Sequence, residues 1–235
     1  MALFDDYKFH PSSLGLIMTN DRSGKGIGET CIKHLVECYV GYAYGRKKTR
    51  ENKFIEKGNK VEEDSITLYS RVTKTFYKKN TEQISNEYLI GTPDLYDGPD
   101  IYHANVIKDI KSSWDIFTFF GNLPKATKKL YEWQLWGYED LTTAKEGSLV
   151  YCLVNTPQAL IDDEKRKLMY KMGVIDPQMN HEYQAACDEL DKLHNYDDIP
   201  LKKRYFEFQI PRDQDKIESA HGRIKECREI MNSWV

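Results

Sequence analysis

Three residues of this chain have the types and spacing to do chemistry: Asp94, Asp109 and Lys111. Asp94 ends Gly91-Thr92-Pro93-Asp94, just after an apolar run, and Val106-Ile107-Lys108-Asp109-Ile110-Lys111 reads as a following strand. Alternate residues of a strand share a face, so Asp109 and Lys111 point together. The short polar link from Tyr96 to Asn105 makes the two segments neighbouring strands, which brings Asp94 to the same place. Two carboxylates and an amine at the end of a sheet can hold a divalent metal and a hydrolytic water. The same residues also suit an ordinary hairpin with solvated charges, so the flanking elements must decide.

Composition narrows the choice. A chain of 235 residues can bury one substantial core, and one α/β domain is the default. The net charge of −3, with 30% charged residues, excludes a globally basic protein. A polyanion would therefore need a local basic surface. Residues 1–145 hold 21 Lys and Arg against 20 Asp and Glu, and residues 146–235 hold 13 against 17, so the first part is where one should bind. Cys31, Cys38, Cys152, Cys187 and Cys227 form no C-x-x-C pair and follow no leader-like segment. They read as reduced thiols, which argues against disulfides, zinc and a cysteine-ligated cluster. No apolar run has the length of a membrane span, so a soluble, cytoplasmic protein is expected.

The elements that must position the charged trio follow from periodicity. Ser12 and Ser13, beside Pro11, signal the N-cap of a short helix, and helix N-termini also bind phosphate. Residues 21–28, with three glycines, form a loop whose spacing fits neither nucleotide-binding glycine pattern. A helix should span Glu29 to Tyr44. The most basic stretch follows (Arg46, Lys47, Lys48, Arg50, Lys53, Lys57, Lys60), either a solvated helix face or a phosphate contact. It runs into Gly58 and then Glu62, which begins a core helix carrying Ile66, Leu68, Tyr69 and Val72. Residues 73–79 and 84–90 read as strands. Trp114, Phe117, Phe119 and Phe120 should cover the edge of the site. A helix over Pro124 to Leu141 puts Gln134 and Tyr138 on one face. Ser148 to Asn155 is a buried strand, 157–200 a mostly helical insertion, Tyr205 to Ile210 a last strand, and Asp213 to Trp234 a closing amphipathic helix.

In this order the elements resemble the PD-(D/E)xK nuclease superfamily, and within it the branch of phage lambda exonuclease and the YqaJ-type viral recombinases. A single acid-x-Lys tripeptide is weak. Gly58-x-x-x-Glu62 entering a helix, Thr92-Pro93-Asp94 after a strand, Asp109-Ile110-Lys111, and Gln134-x-x-x-Tyr138 on the next helix are together specific. Pro211-Arg212-Asp213 before the closing helix extends the likeness to roughly residues 10–235, with 157–200 poorly matched. The chain departs from the family in having Asp109 where glutamate is commoner. The arginine of the family's N-terminal phosphate pocket has no clear counterpart, leaving Lys8, His10 or Arg22 as stand-ins.

The resemblance implies an α/β fold with a restriction-endonuclease-like core: a central mixed sheet of about five strands flanked by helices. It implies a single nuclease domain over 1–235, with its core at about 55–155 and 203–235. The implied activity is a metal-dependent DNA exonuclease, 5′ to 3′ on linear duplex ends, leaving 3′ single strands for phage-type recombination. Glu62, Asp94, Asp109, Lys111 and Gln134 would be catalytic. One or two Mg²⁺ or Mn²⁺ ions would sit on Asp94, Asp109, the Ile110 carbonyl and Glu62. Ser12, Ser13, Arg22, Ser112 and Tyr138 are the candidate substrate contacts. Double-stranded DNA, a single-strand annealing protein and two further copies in a trimer are the implied partners. A RecB-type or Cas4-like nuclease, or an endonuclease with the same site, is the alternative, followed by a non-catalytic DNA-binding module.

Overall fold

The computed structural model describes residues 2–24, 26–49, 52–123 and 129–235. Its central sheet has the order β3-β4-β5-β6. Strand β3 (Leu95–Asp97) runs antiparallel to β4 (Val106–Ser112), β4 parallel to β5 (Glu146–Cys152), and β5 antiparallel to β6 (Tyr205–Pro211). A parallel pair needs a crossover, and this one carries α5 (Ile116–Asn122) and α6 (Lys129–Asp140). β1 (Ile84–Ser85) and β2 (Ile90–Gly91) form a separate two-stranded ladder. The result is the expected mixed sheet, with four strands rather than about five among the described residues.

Alternation along β4 divides the molecule into two cores. Ile107 belongs to the larger core, with Leu14 and Ile17 of α1 (Pro11–Ile17), Cys31 and Leu35 of α2 (Glu29–Tyr44), Leu135 of α6 and Ile224 of α9 (Gln214–Asn232). Ile110 belongs to the smaller one, with Ile66, Leu68 and Tyr69 of α4 (Glu62–Thr73). Asp109 and Lys111 keep the phase of Ile107 and so face α6. α1 and α6 cross closely because each offers a glycine at the contact. A Cβ on Gly15 would lie 2.5 Å from Leu130 Cδ2, and one on Gly137 would lie 2.6 Å from Leu14 Cδ1. A short helix α3 (Lys53–Lys60), capped by the Asn52 side chain, runs through Val61 into α4.

Several elements match the sequence reading: α2, α4, β4, and α9 behind its Asp213 cap. The insertion is two helices, α7 (Gln158–Met172) and α8 (His181–His194). Other expectations are corrected. Residues 73–79 do not form a strand. α4 continues through Thr73 and ends on Lys74 in the left-handed region, φ 59°. The backbone beyond it is satisfied without a ladder. Tyr77 N donates to Ser70 Oγ (3.1 Å) and Asn80 N to the Asp94 carbonyl (2.8 Å). Residues 84–90 are not one strand either: β1 turns at Asn86, whose Oδ1 accepts from Tyr88 N and Leu89 N, and Ile90 opens β2, which pairs back on β1. Ser12 and Ser13 do not cap α1. His10 holds that position without a side-chain bond, Pro11 starts the helix, and Ser13 Oγ turns back to the His10 carbonyl at 2.7 Å. The first residues of the helix expected over Pro124 to Leu141, and Arg50, lie outside the described residues. Of the four aromatics expected at the site's edge, Trp114 and Phe119 are buried while Phe117 and Phe120 are exposed.

No described helix is long and apolar enough to cross a membrane. The five cysteines are free thiols, with Cys31 Sγ and Cys227 Sγ in contact at 3.8 Å.

One buried acid makes the fold pH-sensitive. Glu139, at the end of α6, is fully buried, and neither carboxylate oxygen has a well-formed hydrogen bond. Burial pushes its carboxyl up to about 8, with Arg212 opposing. The unfolded chain would titrate near 4.5. Between those values the folded state holds the extra proton, so stability falls as pH rises from 4.5 to about 8. The upper bound is roughly 5 kcal/mol. Glu139→Gln should therefore match wild type at low pH and melt roughly 5 °C or more above it in mild alkali. Parallel melting curves at the two pH values check this. Equal melting temperatures in alkali would contradict it.

Candidate active site

The charged trio converges. Asp94 directly precedes β3, whose Leu95 pairs with Lys108 of β4, so Asp94 lies at the level of Asp109. Its Oδ2 accepts the Ile110 backbone N–H at 2.7 Å, and the Asn80 backbone N–H holds its carbonyl from the other side. Asp109 is 1% exposed. Its Oδ1 accepts from Gln134 Nε2 at 2.8 Å, and Lys111 Nζ stands 2.7 Å from its Oδ2. Gln134 Nε2 also lies 3.5 Å from the Tyr138 hydroxyl. The i, i+4 spacing on α6 thus places both side chains behind the acid.

Asp94, Asp109, Lys111 and Gln134 line a cleft of about 620 Å³ with Glu62, Ile110, Ser112, Ser113 and Tyr131, whereas Tyr138 is buried behind Gln134 and does not line it. A larger opening of about 840 Å³, along β6 and the start of α9, contains none of the trio. Glu62 begins α4 and reaches Lys79 Nζ at 2.6 Å. Ser112 shares a 2.8 Å hydrogen bond with Ser65. Ser12, Ser13 and Arg22 do not line the cleft. Ser12 and Arg22 are exposed, and Ser13 is buried in α1.

The electrostatics are those of crowded charges. Burial first, and the Asp109 charge second, push Asp94 up to about 7. Burial also raises Asp109, against the pull of Lys111. For Lys111 burial alone would lower the pKa, but the two aspartates outweigh it and the ammonium is held above its ordinary value. Burial and the same carboxylates raise the Tyr138 phenol, keeping it neutral. One permanent cation therefore faces two acids that cannot both ionise easily.

A divalent cation fits this donor set. Asp109 Oδ2 is buried and, beyond its ion pair with Lys111, has no directed hydrogen bond. The Asp94 and Asp109 oxygens are hard donors, and Mg²⁺ is commonly held by one or two carboxylates plus waters. Among the described residues no three His, Cys, Asp or Glu side chains form a ready cage. Glu62 is drawn to Lys79 instead of completing one.

Two neighbours escaped the sequence reading. Lys79 lay in a segment read as strand. The Tyr131 ring, which sits 5.2 Å from Lys111 Nζ, stood among the aromatics of α6 with nothing to mark it.

No protein-family model and no curated protein sequence matches this chain. Solved structures do. A phage-related exonuclease from Haemophilus somnus 129PT superposes with a TM-score of 0.75 at 25% identity, covering 97% of this chain and 95% of that one. The alkaline exonuclease LHK-Exo from Laribacter hongkongensis superposes at 0.64 with 13% identity, covering 97% and 90%. LHK-Exo in complex with dAMP superposes equally well at 14% identity, covering 96% and 88%. The chain therefore has the fold of these exonucleases over nearly its whole length, consistent with its resemblance to the lambda-exonuclease branch of the PD-(D/E)xK nucleases.

Proposed function

We propose that the protein is a metal-dependent DNA exonuclease that degrades linear duplex from its ends, in the 5′ to 3′ direction. The observation that carries this reading is the meeting of Asp94, Asp109 and Lys111 in one cleft, with Gln134 holding Asp109 from behind. The fold is shared with exonucleases, one of them bound to a deoxynucleoside monophosphate.

Asp94 and Asp109 would hold Mg²⁺ or Mn²⁺, with the Ile110 carbonyl and Glu62 completing the set for one or two ions. Such an ion supplies an acidified water and neutralises phosphate charge. The chain's own residues do the rest. Gln134 keeps Oδ1 of Asp109 engaged, so its second oxygen stays turned into the cleft. Lys111, held charged by the acids and flanked by Tyr131, offers its ammonium to the charge that grows on the scissile phosphate. Ser112 would contact substrate from the cleft wall, and Tyr138, buried off the cleft, would support Gln134. Ser12, Ser13 and Arg22, away from the cleft, would serve only a more distant 5′-phosphate. The single domain, the trimer and a single-strand annealing partner for the 3′ tails belong to the same proposal.

End-labelled linear duplex tests the polarity. Early release of the 5′ label, faster from phosphorylated ends, is expected. Early release of the 3′ label would contradict the direction, and cutting of a closed circle would favour an endonuclease.

A further inference from the structure

Lys57 is the most deeply buried cation of the described residues that the proposed chemistry does not use. It has no exposed surface, and among the described residues no carboxylate forms an ion pair with it. Its Nζ donates to the Trp114 carbonyl at 2.8 Å and lies 5.7 Å from the Tyr196 ring and 6.0 Å from the Trp114 ring. Burial pushes the ammonium down to about 7, with Asp115 acting in the opposite direction. A buried charge with one carbonyl and two ring faces for company is an expensive way to fill space.

What it joins explains the placement. Lys57 sits on α3 just before Gly58, Asn59 and Glu62, all of which line the cleft. Trp114 follows Lys111, Ser112 and Ser113, which line the same cleft. The third component is the helical insertion. Tyr196 and His194 come from its inner end, with the His194 ring against Trp114 at 5.0 Å and its Nδ1 bonded to Thr156 Oγ1 at 2.9 Å. On the outside, Lys53 of the same helix α3 pairs with Glu164 of α7 at 2.6 Å and lies over the Trp114 ring at 4.7 Å.

Resting on the nuclease reading above, we propose that Lys57 is a positioning residue. By tying α3 to the Trp114 carbonyl beneath Tyr196, it holds the start of α4, and with it Glu62, at the cleft that Asp109 and Lys111 also line, and the 157–200 insertion is the brace that holds this tie. Displacing reacting groups by an ångström can cost about a hundredfold in rate.

The test compares wild type with Lys57→Met, which keeps the length and removes the donor and charge. On linear duplex with Mg²⁺, kcat should fall about tenfold to a hundredfold, while KM for DNA and the melting temperature stay close to wild type. A purely structural role would instead lower the melting temperature and leave kcat per folded molecule unchanged. Glu164→Gln, which loosens the outer tie at the surface, should lower kcat in the same sense by about two- to fivefold. If wild type cuts and folded Lys57→Met cuts equally well, this proposal alone is overturned. If Lys57→Met does not fold, an unchanged kcat in Glu164→Gln overturns it. A wild type that leaves linear DNA intact overturns the nuclease reading and this inference together.

Discussion

Replacing Lys111 with alanine should lower the rate of nucleotide release from linear duplex by about 10²–10³-fold, or more, with the fold intact. Among the described residues the ammonium is the one cation that lines the cleft, and the two aspartates secure its charge. Removing it deletes the group best placed to offset charge growing on phosphate. The fold should tolerate the loss better than a broken buried ion pair usually allows, roughly 3–5 kcal/mol. The reason is that burial already favours protonation of Asp109. Without Lys111 that carboxyl can take up a proton, and Gln134 still holds its Oδ1. Initial rates and melting curves on the same preparations check both halves. A variant that keeps more than about a tenth of wild-type activity would contradict the assignment.

Asp109→Asn should be at least as damaging, for a different reason. The amide can keep its oxygen as acceptor for Gln134 Nε2 only by turning its N–H₂ toward Lys111, which stands 2.7 Å from Oδ2 in the wild type, and in either orientation it removes a hard anionic donor. The loss of a carboxylate that holds a catalytic ion corresponds to several kcal/mol, a rate effect of about a thousandfold. The variant also separates binding from chemistry. Mg²⁺ or Mn²⁺ should raise the melting temperature of wild type and leave Asp109→Asn unmoved. Asp94 should respond too. Burial, then repulsion by Asp109, holds it near 7, so without the Asp109 charge its titration should move toward lower pH. In wild type, protons compete with metal up to about that value, so metal affinity should rise as pH increases through 7. A metal-induced melting shift that survives in Asp109→Asn would remove that residue from the ligand set.

Much of this site was legible because it obeys two simple periods. Asp109 and Lys111 alternate with Ile110 on a strand whose faces enter different cores, and the period of two placed the pair on one side. Gln134 and Tyr138 follow the helical period, and the Gln134 contact with Asp109 is the result. Glu62 opening α4 was visible from the apolar repeat behind it. What failed is the part of the fold that has no period. Residues 74–83 are held by single contacts, such as Asn80 to the Pro93 and Asp94 carbonyls, which leave no trace in hydrophobic patterning. Lys79 was hidden by that error. Lys57 was hidden by its surroundings, since in a run of seven basic residues nothing distinguishes the one that folds inward. Ser12 and Ser13 show the limit of propensity. Both are good caps by type, yet Pro11 starts the helix one residue earlier and turns Ser13 inward.

The most direct measurement is a time course of nucleotide release from linear duplex DNA in Mg²⁺. Wild type and Lys111→Ala are run side by side, with a chelated wild-type sample and a covalently closed circle as controls. Expected are progressive loss of the linear duplex by wild type, an intact circle, no release after chelation, and release by the variant at no more than about a hundredth of the wild-type rate. Linear DNA left intact by wild type, or degraded equally by Lys111→Ala, would contradict the nuclease reading.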